Sequence, residues 1–258
     1  MDAIILAAGR GNRLREFNPD GRPKSLLEFG GKSLLARELQ YLAEFGVQRV
    51  ELVVGYEADQ VIEHVGTLQQ RPEVSFAFNP RYLDGSVISL LTARERLLSG
   101  NDVLVMDADV LFHPRILQRL VRSSHANVFL FDEDFVPGDE PVKIAVRDGQ
   151  MVEFRKRLAE GLAYDRVGES VGFFRFDAAT CADIAAACAR YEAEGLGDAP
   201  HEEVLRDVLL ASPGRFAFED ISGLPWLEVD FPEDIERAVK EILPAITVDY
   251  PDFQDSHD

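Results

Sequence analysis

A chain of 258 residues with 46 acidic and 27 basic side chains carries a formal net charge of −19, so the field of the whole molecule opposes binding to a nucleic-acid polyanion. Hydrophobic residues make up 46%, enough for an ordinary globular core, and no run of about 18 apolar residues offers a membrane span. The N-terminus enters an apolar segment within a few residues and has no basic leader, and no cluster of Cys and His suggests zinc, so a cytoplasmic protein is expected.

The first predicted element is a strand over 2–8. Ile4, Ile5 and Leu6 suit a buried parallel strand, and it runs into a loop where Gly9 and Gly11 permit close backbone approach. Between residues 10 and 32, six cations (Arg10, Arg13, Arg15, Arg22, Lys24, Lys32) face three acids (Glu16, Asp20, Glu28). This local reversal of sign, beside backbone N–H groups that can face an anion, favours a phosphorylated ligand. Two better-known phosphate loops fail on spacing. The dinucleotide fingerprint needs a third glycine where Leu14 stands, and a Walker-type reading of Gly30-Gly31-Lys32-Ser33 needs glycine at position 26, which is Leu26.

Strand and helix then alternate: helix 33–45, strand 49–54, helix 57–68, strand 73–78, helix 86–98, strand 102–106. The first helix has Ser33 as N-cap, Gly46 past its end, and Leu34, Leu35, Leu39, Leu42 and Phe45 at core spacing. This βαβ punctuation predicts an α/β fold, a doubly wound sheet with helices on both faces. After residue 126 strand-like runs at 127–132, 141–147, 151–155 and 170–176, with turns at Pro137-Gly138 and Asp148-Gly149, predict a second half of different pattern. Helices follow near 177–194, 202–211 and 232–242. The first of these carries Cys181 and Cys188 about 10 Å apart along its axis, too far for a disulfide. Residues 247–258 read as a frayed or partner-docked tail.

Acids stand where open α/β sheets bind ligands. In VLVMDADVLFHP an apolar strand ends at Asp107 and Asp109, and in WLEVDFPEDIERA a strand ends at Asp230 before Pro232, Glu233 and Asp234 open a helix. Glu233 and Asp234 suit the positive end of that helix. Asp109 and Asp230, from separate strand ends, are candidate ligands for a divalent cation that keeps room for phosphate oxygens. Asp107 reads either as support behind Asp109 or as a nucleotide contact.

The run Leu6-Ala7-Ala8-Gly9-Arg10-Gly11-Asn12-Arg13-Leu14, then RPKSLL and GGKSLL, resembles the nucleotidyltransferase superfamily of sugar-1-phosphate nucleotidylyltransferases and small-alcohol-phosphate cytidylyltransferases. The resemblance implies a Rossmann-like nucleotidyltransferase fold with a mostly parallel mixed sheet. It implies that residues 6 to 13 wrap the nucleotide and that Arg13 and Lys24, the expected catalytic residues, hold the triphosphate and bridge phosphates at the reacting centre. It also implies Mg2+ at Asp109 and Asp230, with base contacts near Gly85 and Ser86, which otherwise read as a plain helix start.

The segments DEPVKIAVRDGQMVEFRK and GESVGFFRF resemble the phosphocholine cytidylyltransferase branch and its phosphonate-using relatives. The implied acceptor set is Lys143, Lys156, Glu169 and Asp230, although either lysine also reads as a solvated strand charge. Phe78, Tyr82, Phe135, Tyr164, Phe173 and Trp226 are available to enclose a choline-like group, while strand-spaced phenylalanines ordinarily pack inward. The acidic stretch Asp132, Glu133, Asp134, Asp139, Glu140 is a solvated loop or a partner for an ammonium.

The expected organisation is one domain: a nucleotide half over 1–125, an acceptor half over 126–243 and a tail over 244–258. The expected reaction is Mg2+-dependent transfer of CMP from CTP to a small phosphate or phosphonate such as phosphocholine, 2-aminoethylphosphonate or 2-hydroxyethylphosphonate. A sugar-1-phosphate with UTP, dTTP or GTP is the alternative. No nucleic acid or membrane partner is expected, and a homodimer stays open. A glycosyltransferase shares Asp107-Ala108-Asp109 but has no need of the glycine loop with Lys24, and a non-catalytic nucleotide sensor has no need of Arg13, Lys24, Asp109 and Asp230 together.

Overall fold

The computed structural model describes residues 1–14 and 21–248, so Arg15, Glu16, Asp20 and the tail from Asp249 onward lie outside the described residues. Strand β1 (Asp2–Ala7) is followed by a hairpin of β2 (Glu28–Phe29) and β3 (Lys32–Ser33), helix α1 (Leu34–Glu44), β4 (Arg49–Val54), α2 (Ala58–Thr67) and β5 (Glu73–Phe78). Next come α3 (Ser86–Thr92), α4 (Arg94–Leu97), β6 (Val103–Asp107), β7 (Val110–Phe112), α5 (Pro114–Arg122) and β8 (Val128–Phe131). The second half holds β9 (Lys143–Arg147), β10 (Gln150–Arg155), β11 (Arg166–Glu169), β12 (Phe173–Phe176), α6 (Ala178–Ala193), α7 (His201–Ala211), β13 (Ala217–Asp220), β14 (Trp226–Glu228) and α8 (Pro232–Arg237). A π turn over 238–242 leads into α9 (Leu243–Ala245).

The central sheet has the order β13-β8-β12-β6-β1-β4-β5. Only β12 runs antiparallel, against β6 and β8, so the sheet is mixed and mostly parallel. From β1 the chain adds β4 and β5 on one side and returns to place β6 on the other. The crevice outside the carboxyl ends of β1 and β6 is therefore the switch point at which such sheets bind ligands. One buried layer packs Leu35, Leu39 and Leu42 of α1 with Ile116, Leu117 and Leu120 of α5 on one face of the sheet. The other face is covered by α3, α6 and α7, with Val87, Ile184 and Leu205 in its layer. Ser33 caps α1 as its residue type predicts, its hydroxyl accepting from Ala36 N at 3.0 Å.

Several boundaries differ from the sequence reading. The helix expected over 86–98 breaks at Ala93 into α3 and α4. The strand expected over 170–176 shortens to β12, which joins the central sheet, and β11, which lies just before that range and was not anticipated, joins a three-stranded sheet with β9 and β10. Gly172 makes the turn between them with φ of +80°, where a Cβ would stand 2.5 Å from Asp107 Oδ2. Helix α5 was not anticipated, although His113-Pro114 opens it and His113 Nδ1 accepts from Arg115 N at 3.2 Å. Cys181 and Cys188 are both buried and free, consistent with packing. No described helix is long and apolar enough to cross a membrane.

Candidate active site

The loop after β1 curls around one lysine. Gly11 adopts φ of +62°, and a Cβ there would touch the Lys24 side chain at 3.4 Å, whereas none of the described residues lies within 4 Å of a Cβ built on Gly9, whose surface opens to the cleft. Lys24 begins a 3-10 turn behind Pro23, which fixes the entry of the chain, and its side chain is 12% exposed. The ammonium reaches two carboxylates at once: Nζ donates to Asp109 Oδ2 at 2.6 Å and also to Asp230 Oδ1. Arg13 Nη1 donates to the other oxygen of Asp230 at 3.0 Å, and its guanidinium lies 4.8 Å from the centre of the Phe231 ring. Arg13, Lys24, Asp109 and Asp230, with Leu6, Ala7, Gly9, Gly11, Asn12, Ser25 and Ala108, line a cavity of about 290 Å³.

Two residues 121 positions apart meet because β14 pairs antiparallel with β7. Val229 N donates to Asp109 O at 3.0 Å, which extends that pairing to the two aspartates. Asp234 then fixes the start of α8, its Oδ2 accepting from Asp230 N at 3.0 Å and Phe231 N at 2.8 Å. Glu228 stands two residues before Asp230 on the same strand face. One carboxylate oxygen each of Asp109, Glu228 and Asp230 lies within 4.8 Å of the others.

Burial disfavours the charge on Lys24, but Asp109, Asp230 and Glu228 outweigh it and raise the ammonium above its usual range. Packing around its carboxyl, then repulsion from Asp109 and Asp230, pushes Glu228 up, although the residue keeps an exposed face. Asp109 Oδ1 is buried and has no hydrogen-bond partner among the described residues. Three oxygen donors, one of them unsatisfied, suit a hard divalent cation. Glu38, buried on α1, is pushed up by burial and by Asp109 and Asp107.

A second cavity of about 280 Å³ shares Asp230 with the first. Its walls include Asp107, Asp132, Lys156, Glu169, Trp226 and Glu228. Asp107 therefore faces the second cavity and not the nucleotide loop; burial, then Asp109 and Glu202, pushes its carboxyl well up. Lys156 and Glu169 stand in that wall, as read from the sequence, and Lys156 Nζ donates to Glu140 Oε2 at 3.2 Å.

Five expected contacts, Lys143, Gly85, Ser86, Ala8 and Arg10, stand outside both cavities. Lys143 lines neither cavity. Its ammonium donates to the carbonyls of Gly138, Pro141 and Lys156, tying the loop before β9 to the residue after β10. Gly85 and Ser86 also lie outside both cavities. A Cβ on Gly85 would overlap the Ala199 carbonyl, and the Ser86 hydroxyl accepts from His201 N at 2.8 Å, so the pair joins α3 to α7. Ala8 is buried below the loop, and Arg10 lies 5.6 Å from the Tyr56 ring centre.

The sequence reading missed Glu228, Asp132 and Trp226 as wall residues that work together. For Glu228 the signal was present, because residues i and i+2 of a strand share a face. Trp226 Nε1 donates to Asp132 Oδ2 at 2.6 Å, a contact across 94 positions that no local pattern reveals.

Glu169 supports a pH prediction. Burial, then Asp132, against the attraction of Lys143, Arg237 and Lys156, pushes its carboxyl from 4.5 up to about 7. The native state then holds a proton that the unfolded chain has lost, so this residue's stabilisation is complete below about 4.5 and disappears as pH rises through about 7. Melting of wild type and Glu169→Gln across that range should show the variant gaining steadily on the wild type. A constant offset would contradict the assignment.

A family model described as the MobA-like NTP transferase domain matches residues 3–192. The chain belongs to this family. It is 30% identical over 240 residues to the CMP-5'-(3-aminopropyl)phosphonate synthase of Streptomyces rubellomurinus, covering 92% of this chain and 38% of that one. It is 33% identical over 251 residues to the bifunctional IPC transferase and DIPP synthase of Rubrobacter xylanophilus, covering 94% of this chain and 52% of that one. The chain thus spans about half or less of the length of these two relatives. The inositol-1-phosphate CTP transferase structure from T. maritima superposes with a TM-score of 0.76 at 23% identity over 97% of both chains, so the fold is that of the nucleotidyltransferases. The expected resemblance to the cytidylyltransferase branch holds.

Proposed function

We propose that this member of the MobA-like NTP transferase domain family is a cytidylyltransferase that moves CMP from CTP to a small phosphate or phosphonate and releases pyrophosphate. The observation that carries the reading is the meeting of two cavities at Asp230, with Lys24 spanning Asp109 and Asp230 at the junction. One cavity has the glycine loop and Arg13 for a triphosphate, and the other has room for an acceptor. The phosphonate cytidylyl synthesis named for the Streptomyces relative supports the choice of nucleotide and acceptor class.

In this reading an acceptor oxygen attacks the α-phosphorus of CTP. The new P–O bond forms as the bond from that phosphorus to the bridging oxygen breaks, and pyrophosphate leaves with the electron pair. The acceptor oxygen is already anionic near neutral pH, so no general base is required, and no covalent enzyme intermediate is invoked. Asp109, Asp230 and Glu228 would hold Mg2+, which supplies charge neutralisation for the phosphates. The chain's own work is to bring two anions together: Arg13 and Lys24 offset their charge, and the walls hold them in line.

The test is pyrophosphate release from each common NTP against phosphocholine, 2-aminoethylphosphonate, 2-hydroxyethylphosphonate, inositol phosphate and glucose-1-phosphate. CTP with a small acceptor should give the highest kcat/KM. Preference for glucose-1-phosphate with UTP or dTTP would overturn the cytidylyl reading and leave nucleotidyl transfer in place.

A further inference from the structure

Asp132 and Glu169 form an isolated antiparallel bridge just beyond β8 and at the end of β11. Asp132 N donates to Glu169 O at 3.0 Å, and Glu169 N donates back to Asp132 O at 2.8 Å. Exchange of both bonds sets the two Cα atoms about 5.5 Å apart with their side chains on one face. Like charges directly opposite across strands repel and destabilise the pairing. Yet both residues line the second cavity, and Asp132 is only 6% exposed.

The described cations nearest Glu169 attract it, but each makes its own bonds to other groups. Lys143 is spent on three backbone carbonyls, Lys156 pairs with Glu140, and Arg237 pairs with Asp234 and Glu241. Asp132 receives neutral donors, Asp134 N at 2.9 Å and the indole of Trp226, which fix its carboxylate without cancelling its charge. A third acid on the same cavity, Glu202, has an Oε2 that is buried and makes no hydrogen bond among the described residues. His201 Nδ1 is 3.3 Å from that oxygen but is engaged with the Ser86 hydroxyl.

Two carboxylates provide too few oxygens to replace the shell of a hard metal ion. The neighbouring walls carry Trp226, Phe135 and Phe231, which suit an organic cation. We propose that Asp132 and Glu169, steadied by Trp226, form a subsite for an N–H-donating alkylammonium group on the acceptor. The acceptor is then a zwitterion with its phosphate or phosphonate toward Asp230 and its ammonium at this pair. This rests on the acceptor reading given above and narrows it.

The test compares kcat/KM for 2-aminoethylphosphonate and 3-aminopropylphosphonate with that for 2-hydroxyethylphosphonate, and includes phosphocholine as a cation without N–H groups. Wild type should favour the better aminoalkyl acceptor by at least about 30-fold, the scale of one charged hydrogen bond. Asp132→Asn and Glu169→Gln should bring that ratio toward parity while keeping the thermal shift produced by CTP. Trp226→Phe, which keeps a ring and removes the indole N–H, should lower it in the same direction.

Ligand-free melting distinguishes this from a structural role: Glu169→Gln, relieved of repulsion, should melt no lower than wild type at pH 8. Equal use of the hydroxyalkyl acceptor by wild type, preference for phosphocholine, or a ratio that survives both carboxylate substitutions would overturn the subsite. Turnover confined to uncharged acceptors defeats the ammonium subsite alone. An absence of pyrophosphate with every phosphate and phosphonate defeats the acceptor reading and this inference together.

Discussion

Replacing Asp109 or Asp230 with alanine is expected to lower turnover by about 10²- to 10³-fold at saturating CTP, acceptor and Mg2+, the scale of losing one electrostatic contact made at the transition state. The two carboxylates meet at Lys24 and lie within 4.8 Å of Glu228, so each takes part in one compact charge assembly. Because the aspartates act together, the double variant should be little worse than either single one. Glu228→Ala should have a smaller effect, since it leaves both Lys24 contacts in place. The check is steady-state pyrophosphate release for the four variants. Near-normal turnover in both single aspartate variants would refute the site.

Lys24→Met should also lose about 10²-fold or more in turnover, and it has a second signature that needs no substrate. The substitution leaves Asp109, Glu228 and Asp230 crowded together without the ammonium that joins two of them. Removing one partner of a largely buried ion pair is strongly destabilising, because it leaves uncompensated charge. The Lys24 pKa is raised above its ordinary 10.5, so its contribution to stability is fully present at pH 8. Glu228, already pushed well up and now without the ammonium that lowered it, takes up a proton as pH falls. The gap in melting temperature between wild type and variant should therefore be widest near pH 8 and close toward pH 5, and Mg2+ should narrow it at pH 8. A gap independent of pH and of Mg2+ would show that Lys24 stabilises by packing alone.

Much of the nucleotide side was legible because its signals are local. An apolar strand followed by glycines and arginines gave the loop, and the ends of two apolar segments gave Asp109 and Asp230. The structure brings Gly9, Lys24, Asp109 and Asp230 to one cavity. The acceptor side was less legible because pairings between distant segments build it. Glu228 and Trp226 reach the site only through the β7–β14 pairing, and Asp132 meets Glu169 only through a bridge across the second half. Lys143 is a different case. A lysine at the start of a strand near an expected anion suggested a contact, but two carbonyls of the adjoining loop and that of Lys156 beyond β10 accept from its ammonium. At Gly85 the glycine did mark a close approach, and what approaches is the Ala199 backbone.

The central claim is that the cleft shared around Asp230 joins two phosphorus centres in one displacement. The most direct measurement is 31P NMR of CTP, Mg2+ and 2-aminoethylphosphonate incubated with wild type and with Asp230→Ala. Wild type should produce pyrophosphate and a mixed phosphonate–phosphate anhydride in equal amounts, with neither free CMP nor orthophosphate, and the variant should leave CTP intact on the same timescale. Accumulation of CMP without the anhydride, or equal product from the variant, would contradict the account.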